Sequence, residues 1–117
     1  MTLLPFLNPG TFVFVTSSDS AIAKTSSILI FKELEGYTHI INSHQNKEKY
    51  NDLEKWAWIT LNYQSELNEI GITAKFSNAL SMEKIPCNVV AGFYHDHIFV
   101  PYNDRHKAIE LIEKITI

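Results

Sequence analysis

Residues 88–101 read NVVAGFYHDHIFVP, and their interpretation decides the fold. The runs Asn88 to Tyr94 and His97 to Pro101 are rich in β-branched and aromatic residues, and only His95 and Asp96 lie between them. An antiparallel hairpin turning at those two residues is the economical prediction. Upstream, WAWITLNY (56–63) alternates Trp56, Trp58, Thr60 and Asn62 with Ala57, Ile59, Leu61 and Tyr63, the pattern of a strand with two substantial faces. From Ile70 to Ile85 the period lengthens: Ile72, Phe76, Ala79 and Leu80 fall on one helical stripe, and Pro86 ends it. After the hairpin, Asn103 or Asp104 is placed to cap a last helix whose apolar stripe is Ala108, Leu111, Ile112 and Ile115. The order is strand, helix, strand, strand, helix, with only Thr116 and Ile117 left for a closing strand. Such an order predicts a sheet with helices on one face.

The first half repeats this order in worn form. A strand is expected over 11–17 behind the Pro9-Gly10 turn, and two more over 27–33 and 37–42, split at Glu35-Gly36. SSDSAIAKTSS (17–27) reads as a loop or a single helical turn, and the polar stretch around 45–53 as a short surface helix or a linker. The similarity between halves lies in element order, not in residues. It suggests a degenerate unit over 1–53 and a better-formed one over 54–117. The second copy runs out of chain before its fourth strand, so the N-terminal strand at 11–17 or the other repeat is expected to complete its sheet.

A chain of 117 residues, 45% hydrophobic and 20% charged, is the size of one compact domain or two small repeats. Its net charge of −3, without a basic run, argues against nucleic acid as a partner. No segment approaches the ~20 apolar residues of a membrane span, and MTLLPFLNPG lacks the charged start of a signal peptide. A cytoplasmic setting is expected. The single cysteine, Cys87, excludes an internal disulfide and reads as a small apolar residue before a buried strand.

His95, Asp96 and His97 raise the question of a metal. A metal site needs at least three converging ligands, and His39, His44 and His106 carry no ligand spacing. No nucleophile sits in a recognisable elbow either. The expectation is therefore no metal, no cofactor and no enzyme activity, with Tyr94, His95, Asp96 and His97 at the polar tip of a hairpin, packing or touching a partner or ligand. Trp56 and Trp58 are read as packing residues and not as base-stacking ones, because no Arg or Lys accompanies the aromatics of AGFYHDHIFV.

Residues 64–101 resemble the ACT domains, and specifically a group of small bacterial proteins built from two tandem ACT-like units. Ser65, Leu67, Gly71, Thr73 and Ala74 match that group's S-x-L-x-x-x-G-L-T-A pattern, with Ile72 in place of the usual Leu. Asn88, Val89, Ala91, Gly92, Tyr94, His95, Asp96, His97, Phe99, Val100 and Pro101 match its N-V-x-A-G-x-Y-H-D-H-x-F-V-P pattern. The resemblance implies an α+β, ferredoxin-like (βαββαβ) fold in two tandem ACT-like units, the first degenerate. It also implies pairing into a homo-oligomer and an amino-acid ligand near the first helix. The positions so implicated are Ser65, Glu66, Leu67, Glu69, Ile70, Gly71, Ile72 and Thr73, then Asn88, Val89 and Val90 at the next strand. Helix N-terminal amides suit an α-carboxylate, and Glu66 or Glu69 suits its ammonium group. The function expected is a non-catalytic, regulatory, small-ligand-binding module. The alternatives are a pairing module without ligand and, further off, a metal-dependent enzyme using the His-Asp-His cluster.

Overall fold

A computed structural model of the chain describes residues 2–18, 27–46, 48–63 and 68–116. Its elements, in order, are β1 (Pro5–Leu7), β2 (Phe12–Ser17), β3 (Ser27–Lys32), β4 (Tyr37–Asn42), β5 (Trp56–Leu61), α1 (Ile72–Met82), β6 (Asn88–Ala91), β7 (Asp96–Pro101) and α2 (Arg105–Glu113). Short 3₁₀ turns cover Ser43–Asn46 and Tyr102–Asp104. No helix among the described residues is long and apolar enough to cross a membrane. The chain forms two compact units, one of residues 1–9 with 57–117 and one of residues 10–56.

In the larger unit the strand order is β1-β5-β7-β6. β1 pairs antiparallel with β5, matching Pro5 to Leu61, Phe6 to Thr60 and Leu7 to Ile59. The strand that completes this sheet is therefore Pro5–Leu7, supplied by the first-half repeat, which was one of the two sources expected; the other, the strand at 11–17, belongs to the other unit. A proline-containing start hides the signal, because proline at the first position of an edge strand costs no ladder bond there. Beyond the ladder, Asn8 N–H donates to the Trp58 carbonyl (2.9 Å), and Asn62 and Tyr63 N–H donate to Leu4 and Leu3 (3.0 and 3.1 Å). Ala57, Ile59 and Leu61 face a core shared with Leu3, Ile72, Phe76, Leu80, Ile85, Ile98, Val100, Ala108 and Ile112. Both helices thus lie on one face, as the two apolar stripes require, and the unit is α+β and ferredoxin-like. Phe76, fully buried, alone contributes about 1.5–3 kcal/mol over its exposed state.

α1 ends in a Schellman motif. Ile85 N–H bonds the Leu80 carbonyl (3.0 Å) and Lys84 N–H that of Ser81 (2.9 Å), while Ile85 packs in the same core as Leu80. The left-handed residue is Lys84, with φ 59°, where glycine is the usual occupant. At the other helix, Asp104 is the residue before α2, as expected, but its side chain makes no capping hydrogen bond.

In the smaller unit β4 lies between β3 and β2, all antiparallel, and Phe12 also pairs with Trp56. The turn at Gly36 is as predicted: Glu33 N–H bonds the Gly36 carbonyl (2.8 Å), and Gly36 sits at φ 152° with the Ser17 carbonyl 3.0 Å from where a Cβ would lie. Val13, Ile41 and Tyr50 form a small core with Val15 against it. The helix expected near 45–53 is absent among the described residues, which form a 3₁₀ turn and then turns. Lys55 explains the difference, because its ammonium donates to the carbonyls of Tyr50 (2.5 Å), Leu53 (2.6 Å) and Asn51 (3.3 Å) and holds a non-helical fold of the chain. The crossover expected over 17–27 falls largely outside the described residues.

Candidate functional site

Gly71 has φ 94° and ψ −10° at the N-cap of α1, and no side chain among the described residues caps that end. The first bond of the helix runs from Lys75 N–H to the Gly71 carbonyl (3.1 Å), so the amides of Ile72, Thr73 and Ala74 have no partner further along the helix axis. A Cβ on Gly71 would meet nothing within 4 Å: the left-handed backbone, not crowding, explains the glycine. Ile72 is buried and anchors the turn, while Glu69, Ile70 and Thr73 are exposed. The Tyr63 hydroxyl donates to Glu69 (2.8 Å), and this bond, then burial and the Glu69 charge, raise the Tyr63 phenol above its ordinary value. Ser65, Glu66 and Leu67 lie outside the described residues.

The second implicated stretch begins β6. Asn88 and Val89 are exposed and Val90 is half-buried. α1 has 11 residues, which carry the chain ~16 Å away from Gly71 before the turn that leads to Asn88. Within one chain the two stretches therefore stand at opposite ends of the helix.

The histidine cluster differs most from expectation. The hairpin does not turn at His95-Asp96: Ala91 pairs with Asp96 and Val90 with His97, and Gly92 N–H bonds the His95 carbonyl (2.9 Å). Phe93 and Tyr94 form the tip, in edge-to-face contact at 5.0 Å and both exposed. The physical reason is Gly92, whose missing Cβ would lie 2.7 Å from the His95 carbonyl oxygen. Only glycine tolerates this closure, so the turn starts there, and Asp96 and His97 fall within β7.

His97 consequently faces the side of the sheet away from the helices. Trp58 Nε1–H donates to His97 Nδ1 (3.0 Å), and the Thr60 hydroxyl lies 3.1 Å from the same nitrogen. Asn8 Nδ2 donates to Thr60 Oγ1 (2.9 Å) and to the Trp58 carbonyl (3.2 Å). Because the indole can only donate, Nδ1 accepts and the imidazole proton resides on Nε2. Burial, reinforced by His95 and opposed by Asp96, lowers the His97 pKa. Trp58 also stacks on Phe99 at 6.3 Å. The alternation of WAWITLNY already set Trp58 and Thr60 on one face; the part played by Asn8 had no sequence signal. Among the described residues no group of three or more His, Cys, Asp or Glu could hold a metal ion. The thiol of Cys87 is pushed up to about 11 by burial, which keeps it neutral and unreactive.

A family model described as an ACT domain matches residues 54–114, and a second ACT-domain model matches residues 1–57. Among solved structures, a protein of unknown function from Vibrio cholerae, described as a possible transport protein, is 29% identical, with TM-score 0.89 over 99% of this chain and 91% of its own. A protein from Agrobacterium tumefaciens is similar at TM-score 0.72 and 19% identity, covering 96% of this chain and 87% of its own. The aspartokinase alpha and beta subunits share the fold at TM-score 0.69 and 8% identity, with 97% of each chain covered. A search of curated proteins gave no match.

Proposed function

The chain belongs to the ACT domain family, and from that premise we propose that it is a non-catalytic regulatory module that binds a small ligand, an amino acid foremost. The observation that carries the reading is the N-terminus of α1 behind Gly71, which no side chain of the described residues caps. The amides of a first helical turn and the positive end of the helix dipole suit an α-carboxylate, and among the described residues nothing lies within 4 Å of a Cβ on Gly71 to bar it from the backbone. Glu69, exposed and already accepting from Tyr63, supplies a negative charge for the ammonium group. Ser65 and Leu67 belong to the same proposal through their match to the family pattern, and Glu66 as a second carboxylate for the ammonium group.

Asn88, Val89 and Val90 enter the same site only if a second copy brings its β6 to the α1 turn of the first. The proposal therefore includes a homo-oligomer. β6 ends the strand order of its unit, and Val89 on it is 38% exposed, which also favours the second reading, a pairing module that takes no ligand. Thermal unfolding in the presence of each of the twenty amino acids separates the two. Binding at 100 times the dissociation constant adds about 2.7 kcal/mol to stability. A flat response to all twenty at millimolar concentration, with a concentration-dependent oligomer by sedimentation, leaves the pairing module.

A further inference from the structure

A groove of about 1020 Å³ runs along α1 from Ala74 to Ser81 and on to the connection into β6. Its walls include Lys75, Asn78, Ser81 and Lys84, and its floor Ile85 and Pro86. No Asp or Glu lines it, although the chain carries a net charge of −3. Neither lysine makes an ion pair among the described residues. The charged residues of its lining are thus both positive, and Ser77, Asn78 and Ser81 add hydroxyl and amide groups to it. Lys84 adds a second argument. It occupies the left-handed C′ position of the helix at φ 59°, where glycine fits without strain. A lysine there sacrifices backbone stability and puts a cationic residue in the lining of the groove.

We propose that this groove binds a small organic anion, its negative group held by Lys75 and Lys84 and its apolar body lying on Ile85 and Pro86. The pair of lysines gives the charge selectivity, and the floor gives a preference for anions that carry hydrocarbon. Cys87, also at the groove, stays a neutral thiol at this depth and neither repels the anion nor reacts with it. The groove begins one turn from the amino-acid site proposed at Gly71, at Ala74 and Lys75, and is set apart from it by Lys84, Ile85, Pro86 and Cys87 beyond the end of α1.

The test is amide chemical-shift mapping of the full chain titrated with hexanoate, and in parallel with hexylammonium. Hexanoate is expected to shift amides between 74 and 87 saturably, with a dissociation constant on the order of millimolar, and hexylammonium to leave them unmoved. Lys75→Gln and Lys84→Gly are each expected to weaken hexanoate about tenfold. Lys84→Gly should do so while melting no lower than the parent, since glycine relieves the left-handed backbone. The proposal is overturned if hexanoate moves nothing in 74–87, if it moves only 69–73, if hexylammonium moves the groove equally, or if both variants bind as the parent does.

Discussion

Leu3 and Leu4 are neighbours with opposite fates, and substituting each tests whether the first nine residues complete the larger unit. Leu3 is 1% exposed in the core under α1 and α2, and Leu4 is 56% exposed with φ 52°. Leu3→Ala removes side-chain atoms from a cluster that includes Ile59, Leu61, Phe76 and Ile112. Buried leucine-to-alanine changes cost about 2–5 kcal/mol, set by how far the site collapses. Leu3 lies outside any helix or strand, so its surroundings can close over the gap more readily and the lower part of that range, about 2–3 kcal/mol, is expected. For a chain of 117 residues this lowers Tm by roughly 8–12 °C. Leu4→Gly should do the reverse: it forfeits little burial and relieves a left-handed backbone worth roughly 1–2 kcal/mol. Urea unfolding followed by tryptophan fluorescence measures both. A Leu3→Ala loss below about 0.5 kcal/mol, the size of an ordinary surface change, would refute the placement of β1.

Two further outcomes follow from the hairpin and its histidine. Burial lowers the folded-state pKa of His97, so the unfolded chain binds its proton first: the stabilisation is complete above about pH 6.5 and is lost as pH falls toward the depressed value, at no more than ~1.4 kcal/mol per pH unit. His97→Gln keeps an acceptor for Trp58 Nε1–H without titrating, and a stability slope between pH 6.5 and 5 identical to the parent's would contradict the assignment. Gly92→Ala puts a Cβ 2.7 Å from the His95 carbonyl oxygen and is expected to cost about 1–3 kcal/mol; an undiminished denaturation midpoint would show that the turn closes elsewhere.

Legibility in the sequence followed the strength of periodic signals. WAWITLNY and the stripe of Ile72, Phe76 and Leu80 each obey one clear period, and β5 and α1 lie where those periods put them. The strands over 27–32 and 37–42 were legible because Gly36 punctuates them. β1 was not, since three residues starting on Pro5 give too short a pattern to show alternation. The turn of the 88–101 hairpin was misplaced because polar residues at His95 and Asp96 look like turn residues, whereas the closure is dictated by a steric contact at Gly92 that only coordinates reveal. The 43–55 stretch has helix-forming composition, and a single lysine hydrogen-bonding three carbonyls decides otherwise. At the candidate site, Gly71 and the α1 turn were legible through the family pattern. The lysine groove was not, because Lys75 lies in α1 and Lys84 past its end, and no periodic pattern marks them as lining one groove.

The central claim, that the turn at Gly71 receives an amino acid, is tested most directly by calorimetric titration of the twenty amino acids into the protein and into Gly71→Val. A β-branched residue is strained at φ 94° and closes the approach to the backbone. The account predicts saturable binding of at least one amino acid to the parent and its loss in the variant with the fold retained by circular dichroism. Binding of that amino acid with unchanged affinity to Gly71→Val, or of none of the twenty to the parent, would contradict it.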